Sequence, residues 1–413
     1  SRTFSRREMM LSARLIGSNI HITSSDASLL KIKQEIRELI PPGLIRPCNR
    51  NEISIPASIA YLITRILIKY KCDIDDSIIN SAESQEEKYR LHTDARSQII
   101  QIHEESVCRT GDPYWDTLLK PHQGIAVNSM LTPGLIGMCI FDEQGTGKTL
   151  PTIATYDILK NRGEIDVMII VAPKTVLSSW KKEFDEFLPN KYTLLEVDSF
   201  SALLEKRDVY LLNYEKIANN LTILIAKAKS TRIALVVDES YFIKNPAAKR
   251  TRALMELRSF CDKSYVLCGT PAPNSPNDIV SQFDLSDGGY TFFGFNPSGE
   301  PHRDRDEILN RIMQRGIYIR RTKEEVLPDL PSKRYVIEQL QMKPLQKLLY
   351  ERAKSELVLF LKNLTIRHLE SILLLIFKKE LPYYKFALSH SRSIQLTKKH
   401  TQSFIGWMDF FLS

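Results

Sequence analysis

Gly145-Thr146-Gly147-Lys148-Thr149 carries residue types suited to polyphosphate, in the order a phosphate cradle needs. Gly145 and Gly147 let the backbone curl, so that the N–H groups around Thr146 point inward. A helix predicted over 150–159 adds the partial positive charge of its N-terminus. Lys148 can then reach the β- and γ-phosphates, and the Thr149 hydroxyl can ligate Mg2+. The strict pattern asks for a glycine five places before Gly147, where this chain has Asp142. A second chemical centre is Asp238-Glu239, directly after an apolar run ending at Val237. Two adjacent carboxylates suit a division of labour. Asp238 holds Mg2+ through its water shell, while Glu239 orients and deprotonates an attacking water. The same pair could cap a following helix; a phosphate loop on the same sheet favours the catalytic reading.

Both centres need a scaffold, and the sequence from Leu118 onward supplies one. Short apolar runs at Met138–Phe141, Val167–Val171, Val209–Leu212, Ala234–Val237 and Tyr265–Leu267 alternate with amphipathic stretches. The latter predict helices at about 150–160, 175–187, 200–205, 215–228 and 247–260. Continuous apolar strands separated by helices predict an α/β fold with a doubly wound parallel sheet. Its ligand site lies at the C-terminal ends of the strands, and each motif follows such an end. Residues 1–110 read as a mostly helical accessory region. Helices are expected from Ser28 to a stop at Pro41-Pro42-Gly43, from Pro56, and over 83–104. A helical cap and a DNA-contacting module are the two readings of this region. Residues 111–345 form the sheet-bearing lobe, and 346–413 an exit segment and tail.

Composition sets outer bounds. The chain has 413 residues, 43% hydrophobic and 26% charged, with net charge +8. That balance permits nucleic-acid binding without requiring it. No apolar run approaches the roughly 18 residues of a membrane span, and no signal-peptide core follows the basic N-terminus, so the cytoplasm is the expected location. The six cysteines show neither Cys-x-x-Cys pairing nor histidines at metal-ligand spacing, and read as free thiols.

Leu119-Lys120-Pro121-His122-Gln123, placed before Asp142-Glu143-Gln144-Gly145-Thr146-Gly147-Lys148-Thr149, resembles the opening of the Swi/Snf-type branch of superfamily-two helicases. The resemblance continues in order. Val171–Leu177 with Trp180 and Glu183 is similar to motif Ia, and Leu212–Glu215 to the next block. Asp238–Asn245 is similar to the Asp-Glu box, and Leu267–Ser275 to motif III. Arg320–Leu327, followed by Leu330-Pro331-Ser332-Lys333, is similar to the exit from the first lobe, with Gln346 and Tyr350 beyond it. The resemblance implies a RecA-like P-loop ATPase lobe using ATP and Mg2+ on duplex DNA. Gln123 would read adenine, Gly145, Thr146, Gly147 and Lys148 would hold phosphates, and Thr149 and Asp238 would hold Mg2+. Lys148, Asp238 and Glu239 would carry the chemistry, and Gly269 and Thr270 would couple nucleotide to DNA. Lys174, Thr175, Ser178 and Lys244 are candidates for phosphate contacts along a nucleic-acid strand. One departure stands out: Tyr241 occupies the place of a histidine that links the Asp-Glu box to motif III. Its hydroxyl could substitute as a hydrogen-bond partner without carrying charge.

The resemblance also implies a second lobe supplying an arginine to the γ-phosphate. The stretch after Tyr350 is too short for a domain of roughly 150 residues, so the expectation is half a motor, weak or inactive in hydrolysis alone. Back-translating 373–388 and shifting by one base gives a permitted sequence similar to the helix that bacterial members place before their second lobe. The tail from about Thr365 then reads as out of frame; the alternative is a short helical appendage. Two competing functions remain: a non-hydrolysing nucleotide- or DNA-binding module, and an unrelated P-loop kinase or small-molecule NTPase.

Overall fold

The structure, a computed structural model, describes residues 11–17, 19–24, 28–40, 45–298, 301–327 and 341–363. Residues 1–330 form one compact unit and 331–413 a second. Leu330-Pro331-Ser332-Lys333, the stop at Pro41-Pro42-Gly43 and the tail from Thr365 lie outside the described residues.

Helices make up most of the described N-terminal region, and beside them lies a sheet that the helical reading does not include. Strands β1 (Ser12–Ile16), β2 (Asn19–Thr23), β3 (Arg46–Asn49), β4 (Glu52–Pro56) and β5 (Asp73–Ile74) form a sheet in the order β3-β4-β2-β1-β5. The expected helices are present beside it: α1 (Ser28–Leu39), α2 (Ala60–Lys69) and α3 (Asp76–Glu104). Alternation in these strands is only two or three residues deep, as in Asn19-Ile20-His21-Ile22-Thr23, whose Ile20 and Ile22 are fully buried. Such short alternation is easily overlooked beside the longer helical periods. Helix α3 joins this sheet to the rest of the unit. Its Ile78 and Ala82 belong to the N-terminal core, and roughly four turns on, Ala95 and Ile99 belong to the core of the larger sheet.

The larger sheet follows α4 (Pro113–Leu118) and α5 (Pro121–Leu131). Its elements are β6 (Gly137–Ile140), α6 (Thr149–Asn161), β7 (Val167–Val171), α7 (Lys174–Phe187), β8 (Leu194–Glu196), β9 (Val209–Leu212), α8 (Tyr214–Ser230), β10 (Ile233–Val237), α9 (Lys249–Arg258) and β11 (Lys263–Leu267). After them come α10 (Val280–Asp287), α11 (Pro301–Arg315), β12 (Tyr318–Ile319) and α12 (Lys323–Val326); α13 (Pro344–Asn363) lies in the second unit. The strand order is β12-β6-β11-β10-β7-β9-β8, and every pairing is parallel. Successive strand residues feed opposite cores. Met168 and Ile170 pack among residues of α5, α6 and α7, whereas Val167, Ile169 and Val171 pack among those of α8, α9 and α10. Both faces are therefore covered and the sheet is doubly wound, as its continuous apolar strands predict. The five anticipated strands match within two residues. The additional β8 and β12 are three and two residues long, too short to leave a run in the sequence.

Candidate nucleotide site

Loops from the C-terminal ends of β6, β11 and β10 converge, and β11 alone separates the strands that carry Lys148 and Asp238. After β6 the chain turns through Gly145 (φ +86°) and Gly147 (φ +82°), backbone conformations that L side chains rarely adopt. A Cβ on Gly147 would come within 2.8 Å of Gln123 Nε2. Helix α5 fixes this turn from behind. Gln123 Nε2 donates to the Gly147 carbonyl at 3.0 Å, and His122 Nε2 lies 3.0 Å from the Thr146 carbonyl. Both side chains are buried.

Lys148 Nζ folds onto the loop's own carbonyls, Asp142 O at 2.9 Å and Glu143 O at 3.4 Å. Burial lowers its pKa, and Asp238, Glu239 and Asp142 oppose that shift, in that order. Lys148 and the acidic pair thus lie close enough to feel one another's charge, on loops one strand apart. Thr149 opens α6, near the Glu183 carboxylate of α7. Burial raises the pKa of Glu183, and the nearby Thr149 hydroxyl opposes the rise.

The acidic pair is tightly framed. Asp238 is buried; it accepts from Trp180 Nε1 at 2.9 Å and from the Glu239 amide at 2.8 Å. Tyr214 donates its hydroxyl to the Asp238 carbonyl at 2.6 Å. Glu239 adopts φ +50°, ψ 51°, a left-handed conformation costing a non-glycine residue roughly 1–2 kcal/mol. Burial raises both carboxyl pKa values; for Glu239 the neighbouring Asp238 charge adds to the rise, and Lys148 counters it.

The third loop is bridged to the second. Ser240 donates to Gln282 Oε1 at 2.6 Å, and Gln282 Nε2 donates to the Pro271 carbonyl at 2.5 Å and to the Asp278 carbonyl at 2.9 Å. Gln282 lies on α10 and is fully buried. Tyr241 leans on Phe242, ring centroids 4.7 Å apart, so the link between these loops runs through Ser240. Gly269 sits against the phosphate loop, where an added Cβ would meet Gln144 at 3.0 Å. Thr270 is exposed beside it. Lys174, Thr175 and Ser178 are exposed in the first turns of α7, and Lys244 is half-buried after the acidic loop.

Three further residues brace the site without having been assigned a part in it. Arg321 pairs with Asp142, Gln282 spans two loops, and His122 supports the phosphate turn. Each acts through a contact between segments distant in sequence, which spacing does not reveal.

Hard oxygen donors on Thr149, Asp238 and Glu239 suit Mg2+, and the positive-φ turn with Lys148 suits a triphosphate. An SNF2-related domain matches residues 120–381, more than half of the chain. The chain belongs to the SNF2-related family.

Similar SNF2-family proteins include YwqA of Bacillus subtilis, 30% identical over 272 residues, or 61% of this chain and 29% of that protein. The human DNA repair and recombination protein RAD54B is 31% identical over 194 residues, covering 42% of this chain and 21% of its own length. This chain therefore spans less than a third of these relatives. A solved SWI2/SNF2 ATPase core from Sulfolobus solfataricus in complex with dsDNA aligns with 69% of this chain and 63% of its own, at 24% identity and a TM-score of 0.42. Among the described residues no helix is long and apolar enough to cross a membrane.

Proposed function

We propose that this SNF2-related chain is the ATP-binding first lobe of a DNA-dependent translocase. The observation that carries the reading is that the loops bearing Lys148 and the Asp238–Glu239 pair leave the same end of the parallel sheet, one strand apart. Gly145, Thr146, Gly147 and Lys148 hold the phosphates, Gln123 lies at the adenine side, and Thr149 and Asp238 hold Mg2+. Bound Mg2+ supplies charge neutralisation between the phosphate oxygens. Glu239 holds and deprotonates the attacking water; its raised pKa makes it a stronger base than a solvated glutamate. Trp180 and the Glu239 amide fix the Asp238 carboxylate.

Duplex DNA is the proposed track, supported by the net charge of +8 and by a relative named for DNA repair and recombination. Lys174, Thr175, Ser178 and Lys244 contact phosphates, so binding is sequence-tolerant and salt-sensitive. Turnover needs an arginine from a second lobe, worth on the order of 10³–10⁵ in rate in other NTPases. The test is phosphate release with and without duplex DNA, for this chain alone, for this chain with added second lobe, and for Glu239→Gln. DNA-stimulated release that needs the second lobe and disappears in Glu239→Gln is expected. Robust DNA-stimulated release by the chain alone would overturn the half-motor reading. Nucleotide binding with no release under any condition would favour a silent binding module.

A further inference from the structure

One soft, one borderline and one hard donor meet on the N-terminal sheet, far in sequence from the nucleotide site. The His21 ring nitrogens, the Cys48 Sγ and the Glu52 carboxylate offer one ligand atom each, all within 4.8 Å of one another. They come from adjacent strands: β2, β3 and β4. The register explains the convergence. His21 pairs with Ser54, and Thr23 with Glu52, so His21 and Glu52 are diagonal neighbours on one face. On the other side of β4, Pro47 pairs with Ile53 and Asn49 with Glu52, leaving Cys48 as an extra residue in a bulge. Bulges re-aim side chains, and this one turns the Cys48 thiol toward the other two donors.

The carboxylate is already oriented. Glu52 Oε1 lies 2.6 Å from His21 Nδ1, while Glu52 Oε2 accepts from Asn49 Nδ2 at 2.8 Å. His21 and Glu52 are both about one-fifth exposed at the side chain (20% and 23%), sheltered yet reachable by an ion.

We propose that His21, Cys48 and Glu52 form a binding site for one divalent ion of the zinc class. Thiolate, imidazole and carboxylate together suit Zn2+ and disfavour Mg2+ or Ca2+, which take oxygen ligands. Tetrahedral coordination at ordinary bond lengths separates donor atoms by roughly 3.3–3.7 Å. A small closing rotation of Cys48 and a slight parting of the His21–Glu52 pair meet that spacing. The thiol gives its proton to solvent on binding, and the fourth position takes water. The ion pins the short edge strand β3 to β4 and β2. The sequence signal is weak because Cys48 and His21 are on different strands, outside any fixed ligand spacing.

The experiment is a Co2+ titration of the metal-free chain, with Cys72 and Cys108 replaced by Ser to remove the other accessible thiols. Saturation at one equivalent, a thiolate-to-cobalt charge-transfer band and its displacement by Zn2+ are expected. Cys48→Ser loses the band, and His21→Gln weakens binding, each with an unchanged far-ultraviolet circular dichroism spectrum. No saturable binding by the folded chain, or a band that survives Cys48→Ser, overturns the proposal.

Discussion

Arg321 clasps Asp142 across the first unit through two hydrogen bonds, Nε to Oδ1 at 3.1 Å and an η-nitrogen to Oδ2 at 2.5 Å. The other η-nitrogen donates to the His122 carbonyl at 2.6 Å. One guanidinium thus holds α5, the start of the phosphate loop and the segment after β12. Asp142 stands where a stricter phosphate loop has glycine, and only 4% of its side chain is exposed. Breaking a buried pair from one side strands the other charge. Arg321→Met is therefore expected to lower unfolding free energy by about 3–5 kcal/mol in urea titrations. Asp142→Leu added to Arg321→Met should recover most of the loss; a double variant no better than Arg321→Met would contradict the pairing.

The Gln282 bridge makes a separate prediction. Gln282→Leu strands the Ser240 hydroxyl and the Pro271 carbonyl, at about 1–3 kcal/mol for unsatisfied buried groups. It should also loosen the acidic loop and raise the Kd for Mg-nucleotide, measured with a fluorescent analogue. An unchanged Kd in a less stable protein would show the bridge to be structural only.

Glu239 gives a stability–activity opposition. Glycine accepts φ +50° without a Cβ clash, so Glu239→Gly should gain up to about 1 kcal/mol from relieved strain. In the proposed role it should also abolish hydrolysis. Glu239→Gln keeps the strain and should show no such gain; equal melting temperatures for the two variants would refute the strain account.

His92 carries an acid sensitivity. Burial, and then the charges of Arg258 and Lys263, push its pKa down to about 3 from an ordinary 6.5. The folded pKa is depressed, so the native state refuses a proton that the unfolded chain accepts. The contribution is fully present above pH 6.5 and is lost as pH falls toward 3, at about 1.4 kcal/mol per pH unit. Between pH 7 and 5 the wild type should lose about 2 kcal/mol more stability than His92→Gln. Equal losses would place the acid sensitivity elsewhere.

The larger sheet was legible because buried parallel strands such as Val167–Val171 leave unbroken apolar runs, followed by helices of clear period. The glycine turn, Lys148, Thr149 and the acidic pair were legible because each sits directly after such a run. The N-terminal sheet was not, since strands like Ser12–Ile16 carry too few alternating positions to outweigh neighbouring helical periods. Gln282 and Arg321 were invisible in role for another reason. Their partners lie 42 and 179 residues away, and only the folded chain brings those segments together.

The central claim is that Lys148 and Asp238 serve one Mg-nucleotide complex. The direct measurement is a double-mutant cycle on nucleotide affinity: wild type, Lys148→Ala, Asp238→Asn and the pair, each with Mg2+ and with chelator. Shared binding predicts that each single change weakens affinity and that the two losses are non-additive only when Mg2+ is present. Additive losses, or affinity indifferent to either residue, would contradict it.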